Sequence, residues 1–263
     1  MGTFTRYRPV GFGFGMGMTP VVKALLIVNV AAFLLTGMFK IPLDRGLFLG
    51  LVPALAVRGM VWQLVTYMFL HGSLGHILFN MLALWMFGTA LEQSWGQRRF
   101  LRYYLICGAG AGLTVVLAAY LLGGPQDRLT TTIGASGAIY GLLLAFGMMY
   151  PNAPVLVFLL FPMPAKYFVI LMGAISFYMF GTDQGGAVSH VAHLGGLLAG
   201  FLYMKFSSRA FPYRGSTRRS ALSTLLSWED WRMAYERWRL RRLHKKFEVY
   251  MRKHDGGPDH WVQ

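Results

Sequence analysis

The sequence is short of charged residues. Asp, Glu, Lys and Arg make up 13% of its 263 residues and hydrophobic residues 55%, whereas soluble domains carry about 25% charged residues. A water-exposed surface cannot be built from this balance, which excludes an ordinary soluble enzyme. Acidic residues are the scarcest, because only four of them precede Met204, namely Asp44, Glu92, Asp127 and Asp183.

Cysteine is almost absent as well. The single cysteine, Cys107, lies in an apolar run, so an internal disulfide is excluded and we interpret this residue as a small buried hydrophobic side chain. The first nineteen residues also lack the apolar stretch and the small-residue cleavage site of a secretory signal. We therefore expect the first apolar segment to direct membrane insertion.

Long apolar segments, in contrast, are abundant. A helix needs about 20 predominantly apolar residues to cross the hydrocarbon core of a bilayer. By this measure we predict transmembrane helices at about residues 20–38, 74–91, 101–122, 134–150, 167–181 and 187–204. A further apolar run, Val155 to Phe161, is separated from the fifth helix by Pro162 and Pro164, and we expect it to form a loop or an interfacial segment.

The predicted fold class is all-α, a polytopic membrane bundle of six transmembrane helices. Because Lys and Arg of short loops collect on the inner side of a membrane, both termini are predicted to lie inside. We expect a cytosolic N-terminal extension (1–19), a six-span core (20–206) and a basic cytosolic tail (207–263). The inside segments would then hold Arg6, Arg8, Arg98, Arg99, Arg102, Lys166 and the tail.

The basic residues outnumber the acidic ones by 25 to 10. Such an excess could indicate nucleic-acid binding, but the apolar runs favour anionic lipid headgroups as the partner, and no nucleic acid is expected. In the tail, aromatic residues recur at spacings of three and four between Trp228 and Trp238. This pattern predicts a basic amphipathic helix at about 228–255 on the inner leaflet; a cytosolic helix packed on a partner or on itself is the alternative.

Polar side chains within the predicted spans are costly and therefore call for a partner or a role. Ser136 lies in the motif Gly134-Ala135-Ser136-Gly137, and His193 lies in the sixth span. Both would be near the outer ends of their helices and at similar depth. A serine in a membrane helix often only bonds a backbone carbonyl, but a histidine at the same depth makes Ser136 a candidate nucleophile and His193 its general base.

Small residues predict how these helices meet. Gly196 and Gly200 follow His193 at i+3 and i+7 and lie on the same helix face, where they allow another helix to pack closely. If that helix is the fourth, Gly137 and Gly141 can receive it. Tyr140 would share the face of the serine and could stack on the histidine ring.

The second span offers two hydrogen-bond donors. His76 and Asn80 are four residues apart and project from one helix face near the outer end. With the backbone N–H of Ser136 they would form an oxyanion hole for a tetrahedral intermediate.

Three segments together resemble the signature regions of the rhomboid intramembrane serine proteases: His71 to Asn80, Gly134 to Gly137 with Tyr140, and Ala192 to Gly196 with Gly200. The resemblance covers about residues 18–206. It implies a six-helix core with a cavity open to the outside, and substrates that themselves span the membrane. It also implies the following roles: Ser136 as nucleophile, His193 as base, His76 and Asn80 in the oxyanion hole, Tyr140 stacked on His193, and His71 as a structural or site-lining residue.

The chain departs from this pattern at one position. Many family members carry Trp-Arg in the first loop, whereas Trp62 is followed here by Gln63, which concerns a structural contact of the loop and not the chemistry. No acid is placed to orient His193, since Asp183 lies in a loop ten residues earlier. We therefore predict a Ser-His dyad that needs no metal or organic cofactor, and we interpret Glu92 as a helix-end hydrogen-bonding group.

Two other classes of function were weighed. His190, His193, His71 and His76 could surround a zinc ion, but no H-E-x-x-H motif is present and acids are too few to supply the base of a metalloprotease. A non-catalytic adaptor that binds transmembrane helices is the other alternative. An inner orientation of the N-terminus with a basic cytosolic tail leads us to expect a bacterial inner membrane.

Overall fold

The structure, a computed structural model, describes residues 17–38, 49–157, 161–182, 187–207, 235–236 and 238–243. In this part of the chain, long helices occupy the positions of the six predicted spans. They are α1 (Pro20–Met38), α2 (Leu74–Trp95), α3 (Gln97–Leu121), α4 (Ser136–Met149), α5 (Ala165–Thr182) and α6 (Ala187–Phe206).

The predicted helix ends differ from the observed ones by two to four residues where polar side chains begin. Helix α2 continues past Glu92 to Trp95, and α3 already starts at Gln97, before its arginines. Hydropathy marks only the apolar part of a helix, whereas the backbone hydrogen bonds continue into the polar region. Three of the described helices, α2, α3 and α5, are long and apolar enough to cross a membrane. That all six cross it, with both termini inside, stays a prediction.

Helix α4 is the most buried helix of the described bundle, since ten of its fourteen residues are buried. It packs against α2, α3, α5 and α6; α6 also packs against α3 and α5, while α1 contacts α2 and α3. The tyrosines of the core tie neighbouring helices together, because the Tyr103 hydroxyl donates to the Gly141 carbonyl (2.8 Å) and the Tyr67 hydroxyl to the Gly108 carbonyl (2.8 Å). The hydroxyls of Tyr67 and Tyr103 are thus satisfied across an interface.

Helix α2 contains one irregular turn. Residues Leu84–Gly88 are π-helical, between α-helical Leu74–Ala83 and Thr89–Trp95. Such a turn inserts one extra residue per hydrogen-bonded loop and rotates the faces on either side of it relative to each other. The N-terminal half of α2, which carries His76 and Asn80, is thereby offset from the C-terminal half, which carries Glu92.

The segment before α2 is structured, as predicted, although residues 39–48 lie outside the described part. It forms short helices at Pro53–Ala56 and Gln63–Thr66 and a 3-10 turn at Tyr67–Phe69. The fully buried Gln63 side chain organises it, because its Oε1 accepts a hydrogen bond from the Val52 backbone N–H (3.0 Å). Gln63, which replaces the arginine of many family members, therefore still makes a contact within the loop.

The apolar run before α5, predicted to be a loop or an interfacial segment, has a regular structure that the sequence did not indicate. Strands β1 (Pro154–Val157) and β2 (Phe161–Pro164) form an antiparallel hairpin. Val155 is buried and Leu156 is exposed, an alternation typical of a half-buried strand. Two prolines fit into β2 because a two-stranded hairpin has only edge strands. The fold of the described residues is consequently helical with one small hairpin, not purely α.

Little of the predicted tail helix falls within the description. Residues 235–236 and 238–243 are helical, with the rings of Tyr235 and Trp238 5.7 Å apart and the Arg242 guanidinium over the Trp238 ring. The rest of the predicted helix at 228–255, and the N-terminal extension up to residue 16, lie outside the described residues.

Candidate active site

Ser136 is the first residue of α4, and a glycine turn delivers it there. Gly134 has φ +124°, a conformation that a residue with a Cβ rarely adopts, and its N–H donates to the Tyr67 carbonyl (2.9 Å). A Cβ at this position would also lie 2.7 Å from Nε2 of His76. The glycine thus permits both the sharp entry into α4 and the close approach of His76.

The serine and histidine predicted to act together are in contact. Oγ of Ser136 lies 2.9 Å from Nε2 of His193, which is hydrogen-bonding distance. Helices α4 and α6 come this close because Gly196 packs on the backbone of Gly137, where a Cβ would overlap the carbonyl oxygen. One turn further, Gly200 lies against Gly141. Four glycines therefore bring the two helices into backbone contact.

The His193 ring is held from a second side by α4. Tyr140 stacks on it with ring centroids 4.1 Å apart and planes 5° from parallel. A stacked aromatic ring restricts rotation of the imidazole and excludes water from one of its faces. The structure therefore has the stacking contact that the sequence had suggested between these two residues.

The donors of α2 face the same cavity. A cavity of about 460 Å³ is lined by His76 and Asn80 together with Ser136, Tyr140 and His193. Nδ2 of Asn80 is buried and has no hydrogen-bond partner within the described residues. Since buried polar groups are almost always paired, this amide N–H is available to a group that enters the cavity.

His71 packs against His76, outside the group of residues that lines the cavity. It is buried and meets the ring of His76 edge-on, with centroids 4.9 Å apart. Burial, followed by the proximity of His76, lowers the pKa of His71 from 6.5 to about 4. His71 is therefore a neutral packing partner for His76 at ordinary pH.

The two acids considered at the sequence level lie away from the dyad or outside the description. Glu92 is at the opposite end of α2, where its carboxylate accepts hydrogen bonds from the Thr19 hydroxyl (2.5 Å) and the Val21 and Val22 backbone N–H groups (3.0 and 2.9 Å). Its interpretation as a helix-end group is confirmed. Asp183 lies outside the described residues.

Sequence reasoning missed one residue of the site, Ser176 in α5. Its Oγ is 3.1 Å from the Tyr140 hydroxyl and 3.5 Å from Nδ1 of His193. The only available signal was a hydroxyl within an apolar span, and no spacing rule linked it to the histidine.

The histidines do not form one metal-binding cluster. His190 meets the His193 ring edge-on at 5.8 Å, and His71 meets His76 separately. Among the described residues there is no group of three or more His, Cys, Asp or Glu arranged to hold a metal ion. The described geometry thus gives the zinc alternative no support.

The sequence matches the model of a known protein family. The family model of the Rhomboid domain matches residues 58–210, more than half of the chain. The chain belongs to the rhomboid family. Every rhomboid-like site residue named above, from His71 to Gly200, lies within the matched region.

Several curated rhomboid proteins are similar to the chain. Rhomboid protein 1, mitochondrial, of Saccharomyces cerevisiae is 30% identical over 203 residues, covering 72% of this chain and 54% of that protein. Rhomboid protease GluP of Bacillus subtilis is 33% identical over 176 residues, covering 66% and 31%. Rhomboid protease AarA of Providencia stuartii is 28% identical over 211 residues, covering 72% and 73%. The chain thus spans about half of the yeast protein and a third of the Bacillus protein.

Proposed function

We propose that this rhomboid is an intramembrane serine endopeptidase that cleaves transmembrane segments of membrane proteins near the outer face of the bilayer. The observation that carries the proposal is the 2.9 Å contact between Oγ of Ser136 and Nε2 of His193. A nucleophile and a base at this distance can exchange a proton directly. The Bacillus and Providencia relatives are named rhomboid proteases, which supports the same activity here.

In the proposed reaction, Nε2 of His193 takes the proton of the Ser136 hydroxyl as Oγ attacks the substrate carbonyl carbon. The tetrahedral intermediate collapses, the peptide C–N bond breaks, and His193 gives the proton to the leaving amine. Water, deprotonated by His193, then hydrolyses the acyl-enzyme and restores the Ser136 hydroxyl. No step requires a metal or an organic cofactor.

Three N–H groups are proposed to stabilise the oxyanion of the intermediate. The unpaired Nδ2 of Asn80 is one of them, and the His76 side chain, which lines the same cavity, is the second. The third is the backbone N–H of Ser136, which has no intrahelical acceptor because it belongs to the first turn of α4. Donors fixed before the reaction stabilise the developing charge without reorganisation.

The environment proposed for this reaction follows from the predicted topology. Ser136 and His193 would lie toward the outer face, while the basic tail would contact anionic lipids of the inner leaflet. We propose a bacterial inner membrane as the location. Relatives include mitochondrial and bacterial proteins, so a test by fractionation of the native host is required for this last point.

The deciding experiment compares wild type with Ser136→Ala and His193→Ala in detergent, on a generic single-span substrate and with a serine-directed fluorophosphonate. Both variants should lose cleavage and labelling. Thr36→Ala is a matched control, because its hydroxyl bonds, within the described part of the chain, to the carbonyl of Phe33 one turn earlier in α1, and it should cleave like wild type. Cleavage that persists in Ser136→Ala would falsify the proposal. Substrate binding by wild type without cleavage would instead favour an adaptor.

A further inference from the structure

Ser176 is an unusual residue for its helix. Of the α5 side chains, all of which are described, only those of Ala165, Lys166 and Ser176 are buried, and Ser176 is 1% exposed. The first two belong to the start of the helix, beside the hairpin. A buried hydroxyl within an apolar helix whose other side chains beyond its first turn are partly or fully exposed is costly unless it is paired, so its partners indicate why it is there.

The partners of Ser176 are the proposed base, His193, and Tyr140, whose ring stacks on it. Its Oγ donates a hydrogen bond to the Tyr140 hydroxyl at 3.1 Å. With its proton committed to Tyr140, the remaining lone pairs of Oγ can accept a hydrogen bond from Nδ1 of His193, 3.5 Å away. This contact is long, as catalytic hydrogen bonds often are before substrate binds.

The chemistry of the dyad fixes which tautomer His193 needs. To accept the Ser136 proton, Nε2 must carry a lone pair, so the ring proton must be on Nδ1. That tautomer is favoured by an acceptor at Nδ1. Within the described residues, the hydroxyl of Ser176 is the hydrogen-bonding group at this position.

Building on the proposed protease function, we propose that Ser176 is a positioning residue that holds His193 in its base tautomer, with the Tyr140 hydroxyl orienting Ser176 in turn. Helices α4, α5 and α6 each contribute one member of this arrangement. Tyr140 then has two tasks, since its ring restrains the imidazole face and its hydroxyl fixes the direction of the Ser176 proton.

A neutral acceptor suits this location better than a carboxylate. An ionised acid beside His193 would have to be desolvated within the bundle, which is costly for a charged group. A hydroxyl orients the ring without that cost but gives less stabilisation to the imidazolium. Because a neutral hydrogen bond contributes a net effect equivalent to about a tenfold change, we expect a moderate loss of rate rather than the loss of about 10⁴ seen for the aspartate of a triad.

The test is a kinetic comparison of Ser176→Ala and Ser176→Thr with wild type. Ser176→Ala should lower kcat on a single-span substrate, and the rate of Ser136 labelling by a fluorophosphonate, by about tenfold, with KM unchanged. Ser176→Thr keeps the hydroxyl and should recover most of both rates. Thr182→Ala is the matched control: it removes an exposed hydroxyl from the same helix that, among the described residues, bonds to the Tyr178 carbonyl, and it should match wild type.

A double-variant cycle tests the link to Tyr140 without relying on the threonine. Tyr140→Phe keeps the stacked ring and loses only the hydroxyl, so it should lower kcat less than Ser176→Ala does. Tyr140→Phe combined with Ser176→Ala should be no slower than Ser176→Ala alone, because the hydroxyl then has nothing to orient. Additive losses in the double variant would overturn the orientation of Ser176 by Tyr140.

Other outcomes overturn the role of Ser176 itself. One is that Ser176→Ala leaves kcat and the labelling rate unchanged, or raises only KM. Another is that Ser176→Thr loses as much rate as Ser176→Ala, with both variants showing an equally lowered melting temperature. Each can be separated from failure of the protease function. If Ser136→Ala is inactive while Ser176→Ala is normal, the dyad stands and only the positioning role falls; persistent cleavage in Ser136→Ala removes the protease function first.

Discussion

The carbonyl oxygen of Gly137 occupies the place where a Cβ on Gly196 would be. The two backbones therefore touch one residue after Ser136 and three residues after His193, and Gly196 lies on the helix face that carries the His193 side chain. The separation of Ser136 from His193 is consequently set by this glycine contact.

Gly196→Ala should therefore disturb both stability and activity. A methyl group here cannot be accommodated by a side-chain rotation, because the atom it meets belongs to the backbone of α4. Overpacking of this kind typically costs about 1–3 kcal/mol. We expect a lower melting temperature, and a loss of cleavage of more than about tenfold as α4 and α6 separate, since a shift near 1 Å can cost about 10²-fold in rate.

Gly181→Ala provides the control for the glycine prediction. Gly181 lies near the end of α5, and an added Cβ there has no atom of another described residue within 4 Å. It should melt and cleave like wild type. If Gly196→Ala also behaves like wild type in both measurements, the glycine contact does not control the spacing of the dyad.

Asn80→Ala should separate catalysis from stability. Loss of one oxyanion donor typically lowers kcat by about 10²- to 10³-fold, and KM should stay within a few-fold of wild type. Because Nδ2 of Asn80 has no partner in the described part of the chain, its removal leaves no newly unpaired group at that atom. The melting temperature should therefore change little.

Leu78→Ala is the companion measurement on the same helix. Leu78 is 60% exposed on α2 and does not line the cavity, so kcat should be retained. A kcat for Asn80→Ala within tenfold of wild type would remove Asn80 from the oxyanion hole. A fall in melting temperature as large as the fall in activity would assign it a structural role instead.

The helices could be located from the sequence because a helix that spans a bilayer needs a long apolar segment, which is visible in the sequence. The helix ends could not, because they depend on local geometry. Helix α4 starts at Ser136 and not at residue 134, since Gly134 has a positive φ. The π-helical turn in α2 left no trace in the hydropathy pattern either.

Some residues of the site could likewise be predicted from the sequence, and others could not. Residues within one helix could be related by spacing, as for His76 and Asn80, and shared depth linked Ser136 to His193. Ser176 could not be found in this manner, because its position depends on the rotation of α5 about its own axis. That rotation is not fixed by a helix that is apolar on every side, as α5 is.

Glu92→Gln should destabilise the bundle without affecting the chemistry. The carboxylate joins the end of α2 to the start of α1 through the Thr19 hydroxyl and two backbone N–H groups. Charge-assisted hydrogen bonds are stronger than neutral ones, by roughly a factor of two, and the amide would turn one acceptor atom into a donor opposite the backbone N–H groups of Val21 and Val22 or the Thr19 hydroxyl. We expect a loss of about 1–3 kcal/mol, measured as a lower melting temperature in detergent.

Activity decides whether the role of Glu92 is confined to stability. Well below the melting temperature, Glu92→Gln should retain kcat, because the residue is at the end of α2 remote from the cavity. Gln93→Ala tests the exposed neighbour and should leave both quantities unchanged. A large loss of kcat in a folded Glu92→Gln protein would contradict a purely structural role.

His71 should make the fold sensitive to acid. Its pKa is about 4 in the folded protein, through burial and then the neighbouring His76, against about 6.5 for an unfolded chain. Between these values the unfolded chain binds a proton that the folded protein does not, so stability is complete above pH 6.5, falls as the pH drops, and is fully reduced below pH 4. At about 1.4 kcal/mol per pKa unit, the loss approaches about 3 kcal/mol.

His71→Gln should flatten the decline in melting temperature between pH 6.5 and 4. Measurement at pH 8, where His71 is neutral in both states, isolates the effect of repacking, and equal slopes for the two proteins would show that His71 does not titrate with unfolding.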